Sequence, residues 1–179
     1  GGKPEDAADN GSSNMTANAP SDAKNSEEKE EVKLIKASEL PDISSGWTEV
    51  NRYTGDVNGD GADENVVLMA EAERDASNNI MWNDGQKWLL YVEDRYMTYV
   101  LFNEYVQLGN VYFEVADYYT ADGAEPNINV IKSTGSELDI RNYTFDSKND
   151  AFAEKTVYDT KNVTKDGINR RYSSVPEIK

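Results

Sequence analysis

From Gly46 onward, short runs rich in Val, Tyr, Thr, Phe and Trp alternate with clusters of Gly, Asp, Asn and Ser. Runs of β-branched and aromatic residues bounded by such turn residues read as strands. The pattern predicts strands near 47–54, 65–73, 87–93 and 96–103, and a second group near 110–119, 127–133, 137–144 and 151–158. The turns between them are explicit: Gly55–Glu64, Asn83-Asp84-Gly85, Glu93-Asp94, Thr120–Gly123, Ser133–Ser136 and Asp146–Asp150. Asp-Gly pairs mark hairpins because Gly accepts positive φ at little cost.

The two groups resemble each other weakly. The segment Asp60-Gly61-Ala62-Asp63-Glu64-Asn65-Val66 can be laid over Asp122-Gly123-Ala124-Glu125-Pro126-Asn127-Ile128. Each group then forms a four-stranded, blade-like antiparallel unit. The predicted fold class is all-β, with the two units packed as a sandwich, as an incomplete propeller or as one strongly twisted sheet.

Before Gly46 the pattern changes. Residues 1–31 contain no Val, Ile, Leu, Phe, Trp or Tyr. Such a segment buries too little apolar surface to offset the entropy of ordering. Residues 1–45 are therefore expected to be a disordered acidic spacer, followed by a single β domain over 46–179. A short helix is expected from Glu27 to Leu40, capped by Ser26, with Val32, Ile35 and Lys36 at helical spacing and Leu40-Pro41 as its end. The polar tail from Lys161 offers Ile168, Tyr172 and Val175 to a sheet edge.

Charge and composition narrow the chemistry. The chain of 179 residues carries 34 acidic and 18 basic residues, a net charge of −16. Residues 1–45 hold 5 Lys+Arg against 10 Asp+Glu, which leaves −11 of the −16 on residues 46–179. That balance argues against a nucleic-acid partner, which needs clustered Lys and Arg, and against docking on an anionic membrane. With no Cys and no His, disulfides, thiolate metal sites, histidine-based zinc sites and Ser–His catalysis are all excluded.

One loop carries the clearest chemistry. In Gly55-Asp56-Val57-Asn58-Gly59-Asp60-Gly61-Ala62-Asp63-Glu64, oxygen-bearing side chains recur at Asp56, Asn58 and Asp60. Gly61 then permits a sharp turn, the carbonyl of Ala62 follows, and Glu64 arrives three residues after Gly61. Alternating oxygens on a tight loop suit Ca²⁺, which takes six to eight oxygen ligands at about 2.3–2.6 Å in irregular geometry. The first six positions match the start of an EF-hand loop. Val67, however, stands where the closing bidentate Glu belongs, and Asn65–Ala70 reads as a buried strand rather than an exiting helix.

The run from Gly55 to Leu68 resembles the calcium loop of FG-GAP or integrin-alpha-type repeats, with Asp56, Asn58, Asp60 and Gly61 matching directly and Glu64 in place of the usual final Asp. The resemblance covers about 15 residues. It implies Ca²⁺ held by Asp56, Asn58, Asp60, the Ala62 carbonyl and Glu64, between two strands. The corresponding loop of the second group has lost its carboxylates, so one cation is expected. The polar leader before a cysteine-free acidic domain also resembles the spacer of secreted bacterial lipoproteins. That likeness implies an extracellular domain, lipid-anchored at the bacterial cell surface through an upstream residue, with the membrane touched only through that removed anchor. The function so implied is a non-catalytic, Ca²⁺-stabilised binding or scaffold module for a protein or glycan. The alternative is a carboxylate-based polysaccharide-acting enzyme using pairs such as Glu71 and Glu73 or Glu93 and Asp94. Among the aromatics, Trp82, Tyr118 and Tyr119 are the candidate ligand platform.

Overall fold

Residues 32–157 and 168–174 are described by a computed structural model. The elements are β1 (Lys33–Lys36), β2 (Thr48–Gly55), β3 (Glu64–Ala70), β4 (Gly85–Glu93), β5 (Thr98–Gln107), β6 (Gly109–Thr120), β7 (Gly123–Thr134), β8 (Leu138–Asp146), β9 (Ala151–Thr156) and β10 (Ile168–Ser173). The fold is all-β, and among the described residues there is no helix. Two antiparallel sheets form: β2-β3-β4-β5, and β1-β9-β8-β7-β6-β10. The eight strands expected from the pattern are the two four-stranded meanders β2–β5 and β6–β9. The second sheet gains β1 and β10 on its edges.

The sheets meet face to face. Val66, Leu68, Trp88 and Leu90 from one sheet share a buried cluster with Phe113, Ile128, Val130, Tyr143 and Phe152 from the other. Two tyrosine hydroxyls cross the gap between them. Tyr143 Oη on β8 lies 2.9 Å from the Leu101 carbonyl on β5 and 2.7 Å from Glu154 Oε2. Tyr99 Oη on β5 donates to Asp150 Oδ1, beside β9, at 3.0 Å.

The β2–β5 sheet is covered on its outer face as well. Val67, Met69, Leu89 and Tyr91 are buried there under Leu40, Ile43 and Trp47. Buried on both faces, β3 is apolar at consecutive positions rather than alternating.

This covering corrects the expected boundaries. The division of the chain falls after Glu30, and the second unit runs Glu31–Lys179, so residues 32–45 belong to the β domain and not to a spacer. The helix expected from Glu27 to Leu40 is not formed over its described part. Residues Lys33–Lys36 are a strand paired with β9, Leu34 opposite Ala153 and Ile35 opposite Phe152. Alternation explains the change: Ile35 turns toward the core while Leu34 and Val32 stay exposed, so the three-residue step from Val32 to Ile35 that suits a helix separates them to opposite faces here. The expectation of disorder over residues 1–31 lies outside the described residues, as do Ser26, Val175 and the side chain of Ile168. Tyr172 does pack on the core.

Because Tyr99 and Tyr143 are buried and lie close to carboxylates, their phenols are harder to ionise. Burial, then the hydrogen bond to Asp150, pushes Tyr99 up to about 12. Burial, then Glu154, raises Tyr143 as well. A group whose pKa rises on folding stabilises the fold below its unfolded value and loses that contribution as pH climbs through the folded one. Stability should therefore fall between about pH 10 and about 12. Urea unfolding across this range should show Tyr143→Phe about 1–2 kcal/mol less stable at neutral pH but less sensitive to the alkaline window.

Candidate cation-binding loop

The loop between β2 and β3 is organised by its own side chains. Asp56 Oδ1 accepts the Gly59 N–H at 2.7 Å and Asp56 Oδ2 accepts the Gly61 N–H at 2.9 Å. Asn58 Oδ1 accepts from Asp60 N–H at 2.9 Å, and Asp60 Oδ1 from Ala62 N–H at 2.7 Å. These short-range bonds are the reason Asp and Asn alternate here: each oxygen folds the chain back on an amide two to five residues ahead. Gly59 and Gly61 sit at φ of 81° and 87°, in the left-handed region. The strand begins immediately at Glu64, so the geometry is strand–loop–strand and no helix starts at Val66 or Val67.

Val57 turns inward and is 1% exposed, anchoring the loop to the inter-sheet core. Glu64 is also 1% exposed. It occupies the row Glu64, Val66, Leu68, Ala70, the face of β3 that packs on the opposite sheet. A carboxylate at the head of an apolar row is the one chemical anomaly in this strand. Its Oε2 accepts the Val57 N–H at 2.8 Å, while its Oε1 is buried and has no hydrogen-bond partner among the described residues. Burial raises the Glu64 pKa, the Val57 N–H opposes that rise, and the negative charges of Asp60, Asp56 and Asp94 add to it. The site therefore gathers negative charge around a buried oxygen that lacks a donor among the described residues.

Of the five residues expected to ligate, Glu64 is buried, Asp56, Asn58 and Ala62 are half-buried, and Asp60 is exposed. Among the described residues, no group of three or more Asp or Glu side chains is drawn together tightly enough to hold a metal ion by itself. The donor set is mixed in kind: carboxylates, the Asn58 amide oxygen and a backbone carbonyl. A carboxylate offers about four lone-pair sites, so the loop amides leave Asp56 and Asp60 with capacity to spare. The orphaned Glu64 Oε1 and this oxygen-only chemistry fit a hard cation such as Ca²⁺.

The loop of the second group lies at the same end of the molecule. A cavity of about 200 Å³ is bounded by Val57, Asn58 and Gly59 on one side and by Thr120, Asp122 and Pro126 on the other. That second connection is a tight β6–β7 turn, with Thr120 paired to Gly123. The aromatic candidates are separated. Tyr118 and Tyr119 sit near this turn; Tyr118 Oη accepts from Asn129 Nδ2 at 2.9 Å, and Tyr119 is 57% exposed. Trp82 precedes Gly85, whose strand end is paired with Gln107, at the opposite end of the sheets, and stacks on Trp88 with centroids 5.2 Å apart. Glu71, Glu73 and Glu93 are exposed, and Asp94 stands in the β4–β5 turn as part of the charge around Glu64.

Two residues around the loop escaped sequence reasoning. Arg171 on β10 donates to the Asp56 carbonyl at 2.7 Å, and its Nε lies 3.2 Å from Asp117 Oδ1 on β6. No local pattern could have revealed Arg171, which is separated from Asp56 by 115 residues.

The loop's dependence on left-handed glycine has a direct test. A Cβ on Gly61 meets nothing within 4 Å, so Gly61→Ala isolates backbone strain from crowding. Denaturant unfolding should show it destabilised by about 1–2 kcal/mol, and Gly61→Asn by less, because Asn tolerates this conformation better. Compared with family models, curated proteins and solved structures, the chain matches none of them, so the geometry of the loop carries the functional reading.

Proposed function

We propose that the protein is a non-catalytic binding or scaffold module whose β2–β3 loop takes up one Ca²⁺. The observation that carries this reading is Glu64, a carboxylate with 1% exposure and one oxygen that lacks a partner among the described residues. A buried charge without compensation is costly. Asp56 and Asp60 stand in the same loop and lift the Glu64 pKa further. A divalent cation would offset that repulsion, accept the Glu64 Oε1 lone pair and fix the turn between β2 and β3. Asp56, Asn58, Asp60, the Ala62 carbonyl and Glu64 would be its ligands, the same set that the FG-GAP likeness implies.

Extracellular Ca²⁺ modules bind at about 10⁻⁴–10⁻³ M. An affinity in that range would suit an exported domain bathed in millimolar Ca²⁺, and together with the lipoprotein-like leader it supports a location outside the cell, at a bacterial surface. The partner would be a protein or glycan, met by a surface rich in negative charge and not by phosphate-binding basic groups.

Thermal melts in excess chelator and in 10 mM Ca²⁺ test the loop. At ten to a hundred times the dissociation constant, mass action predicts a gain of about 1.4–2.7 kcal/mol, or roughly 4–10 °C in Tm. Coincident curves would remove the ion from the account. Glu64→Gln separates charge from packing. In chelator it should be as stable as wild type or more so, since it removes an unpaired buried charge, yet it should lose the Ca²⁺ increment. The alternative of a polysaccharide-acting enzyme is tested by a hydrolysis screen alongside a glycan array; turnover of any polysaccharide would overturn the non-catalytic assignment.

A further inference from the structure

The last strand meets the cation loop through one side chain. In the pairing of β10 with β6, Arg170 lies opposite Ala116 and Tyr172 opposite Val115, so the register shifts at Arg171 and leaves it without a partner in the ladder. Such a bulge re-aims a side chain at the expense of regular pairing. Arg171 is turned toward the loop: Nη2 donates to the Asp56 carbonyl at 2.7 Å, and the guanidinium lies 5.7 Å from the Tyr53 ring centroid on β2. Asp117, 3.2 Å from Arg171 Nε, balances its charge. Tyr172 extends the same contact, with its ring 5.5 Å from Tyr53 and 5.0 Å from Phe113. Beyond it, Ser174 N–H donates to the Phe113 carbonyl at 2.8 Å.

We infer that occupancy of the loop by Ca²⁺ controls the docking of β10 on the edge of β6, with Arg171 as the coupling residue. The inference rests on the Ca²⁺ reading of the loop. Asp56 is held from two sides: its side chain belongs to the cation shell and its carbonyl belongs to Arg171. Without the ion, repulsion among Asp56, Asp60 and Glu64 loosens the peptide that Arg171 grips. β10 then loses its Arg171 tie to the other sheet, and its ladder to β6 opens more often. Linkage makes the effect reciprocal, so a detached β10 must weaken Ca²⁺ binding by the same factor.

Reciprocity gives a test whose sign is diagnostic. Considered as a charge alone, Arg171 repels a nearby cation, and Arg171→Ala should tighten Ca²⁺ binding. As a coupling residue, its loss should weaken binding about fivefold or more by calorimetric titration of the full chain. Circular dichroism establishes that the variant is folded, and Arg171→Lys, which keeps the charge but not the planar fork, should also weaken binding. On the wild-type chain, hydrogen exchange of peptides covering residues 168–174 should accelerate about tenfold or more on chelation, while those covering β7 stay protected. If the titration shows Ca²⁺ binding but exchange at residues 168–174 is unchanged by chelator, or Arg171→Ala binds as well as or better than wild type, the coupling is overturned and the cation site stands. If neither heat nor a Tm shift accompanies Ca²⁺, the cation reading fails and the coupling with it.

Discussion

β3 carries apolar side chains on both of its faces, and much of the fold follows from the need to cover both. Val66, Leu68 and Ala70 require an opposing sheet, and Val67 and Met69 require a second cover. The six-stranded sheet meets the first need and the segment carrying Leu40, Ile43 and Trp47 meets the second. Burial on this scale stabilises by roughly 1.5–3 kcal/mol per large apolar side chain. It also fixes register, because a slip of one residue would exchange the two faces of every strand. Glu64 is carried into the interior by this same register, two residues before Val66 on the inward row. The unusual carboxylate is thus a consequence of where the strand must begin for its apolar residues to be buried.

The loop ahead of Glu64 shows how local and global forces divide the labour. Asp56, Asn58 and Asp60 shape the turn through bonds to amides within five residues, which any chain with this spacing could make. Val57 and Glu64 then lock it to the sandwich, one by apolar burial and the other by accepting the Val57 N–H. The first set gives the loop its oxygen-lined form. The second gives it a rigid base and an unbalanced charge. An ion-binding loop needs both, since a flexible turn would lose too much entropy on closing around a cation.

The eight strands of the two meanders were legible because each is long enough to show its pattern and is bounded by turn residues with a mechanism. The loop was legible for the same reason, its spacing being a local property. β1 was not: its four residues, Lys33-Leu34-Ile35-Lys36, are too few to show an alternation, and only the pairing with β9 makes them a strand. The lower bound of the domain was misplaced at residue 46 because Leu40 and Ile43 are isolated apolar positions in a polar stretch, whose role depends on a sheet face the sequence does not display. The burial of Glu64 and the approach of Arg171 were likewise hidden, since both are products of tertiary register. The platform of Trp82, Tyr118 and Tyr119 was assembled from residues that share a chemistry but not an end of the molecule.

The placement of β10 has a structural logic apart from any ligand. A six-stranded sheet opposite a four-stranded one leaves edge strands that cannot be covered face to face, and exposed edges invite pairing with other chains. β10 occupies the β6 edge, and the Arg171 bulge breaks the regularity of the strand that now forms the rim. The same bulge fastens that rim to the opposite sheet through Asp56 and Tyr53. The segment after β1 does the equivalent on the far edge, where Ser38 N–H donates to the Thr98 carbonyl of β5 at 2.8 Å. Both rims are thus tied to the β2–β5 sheet by segments that lie far apart in the chain. Of the two, only the β10 tie runs through a residue, Asp56, whose side chain also shapes the oxygen-lined loop.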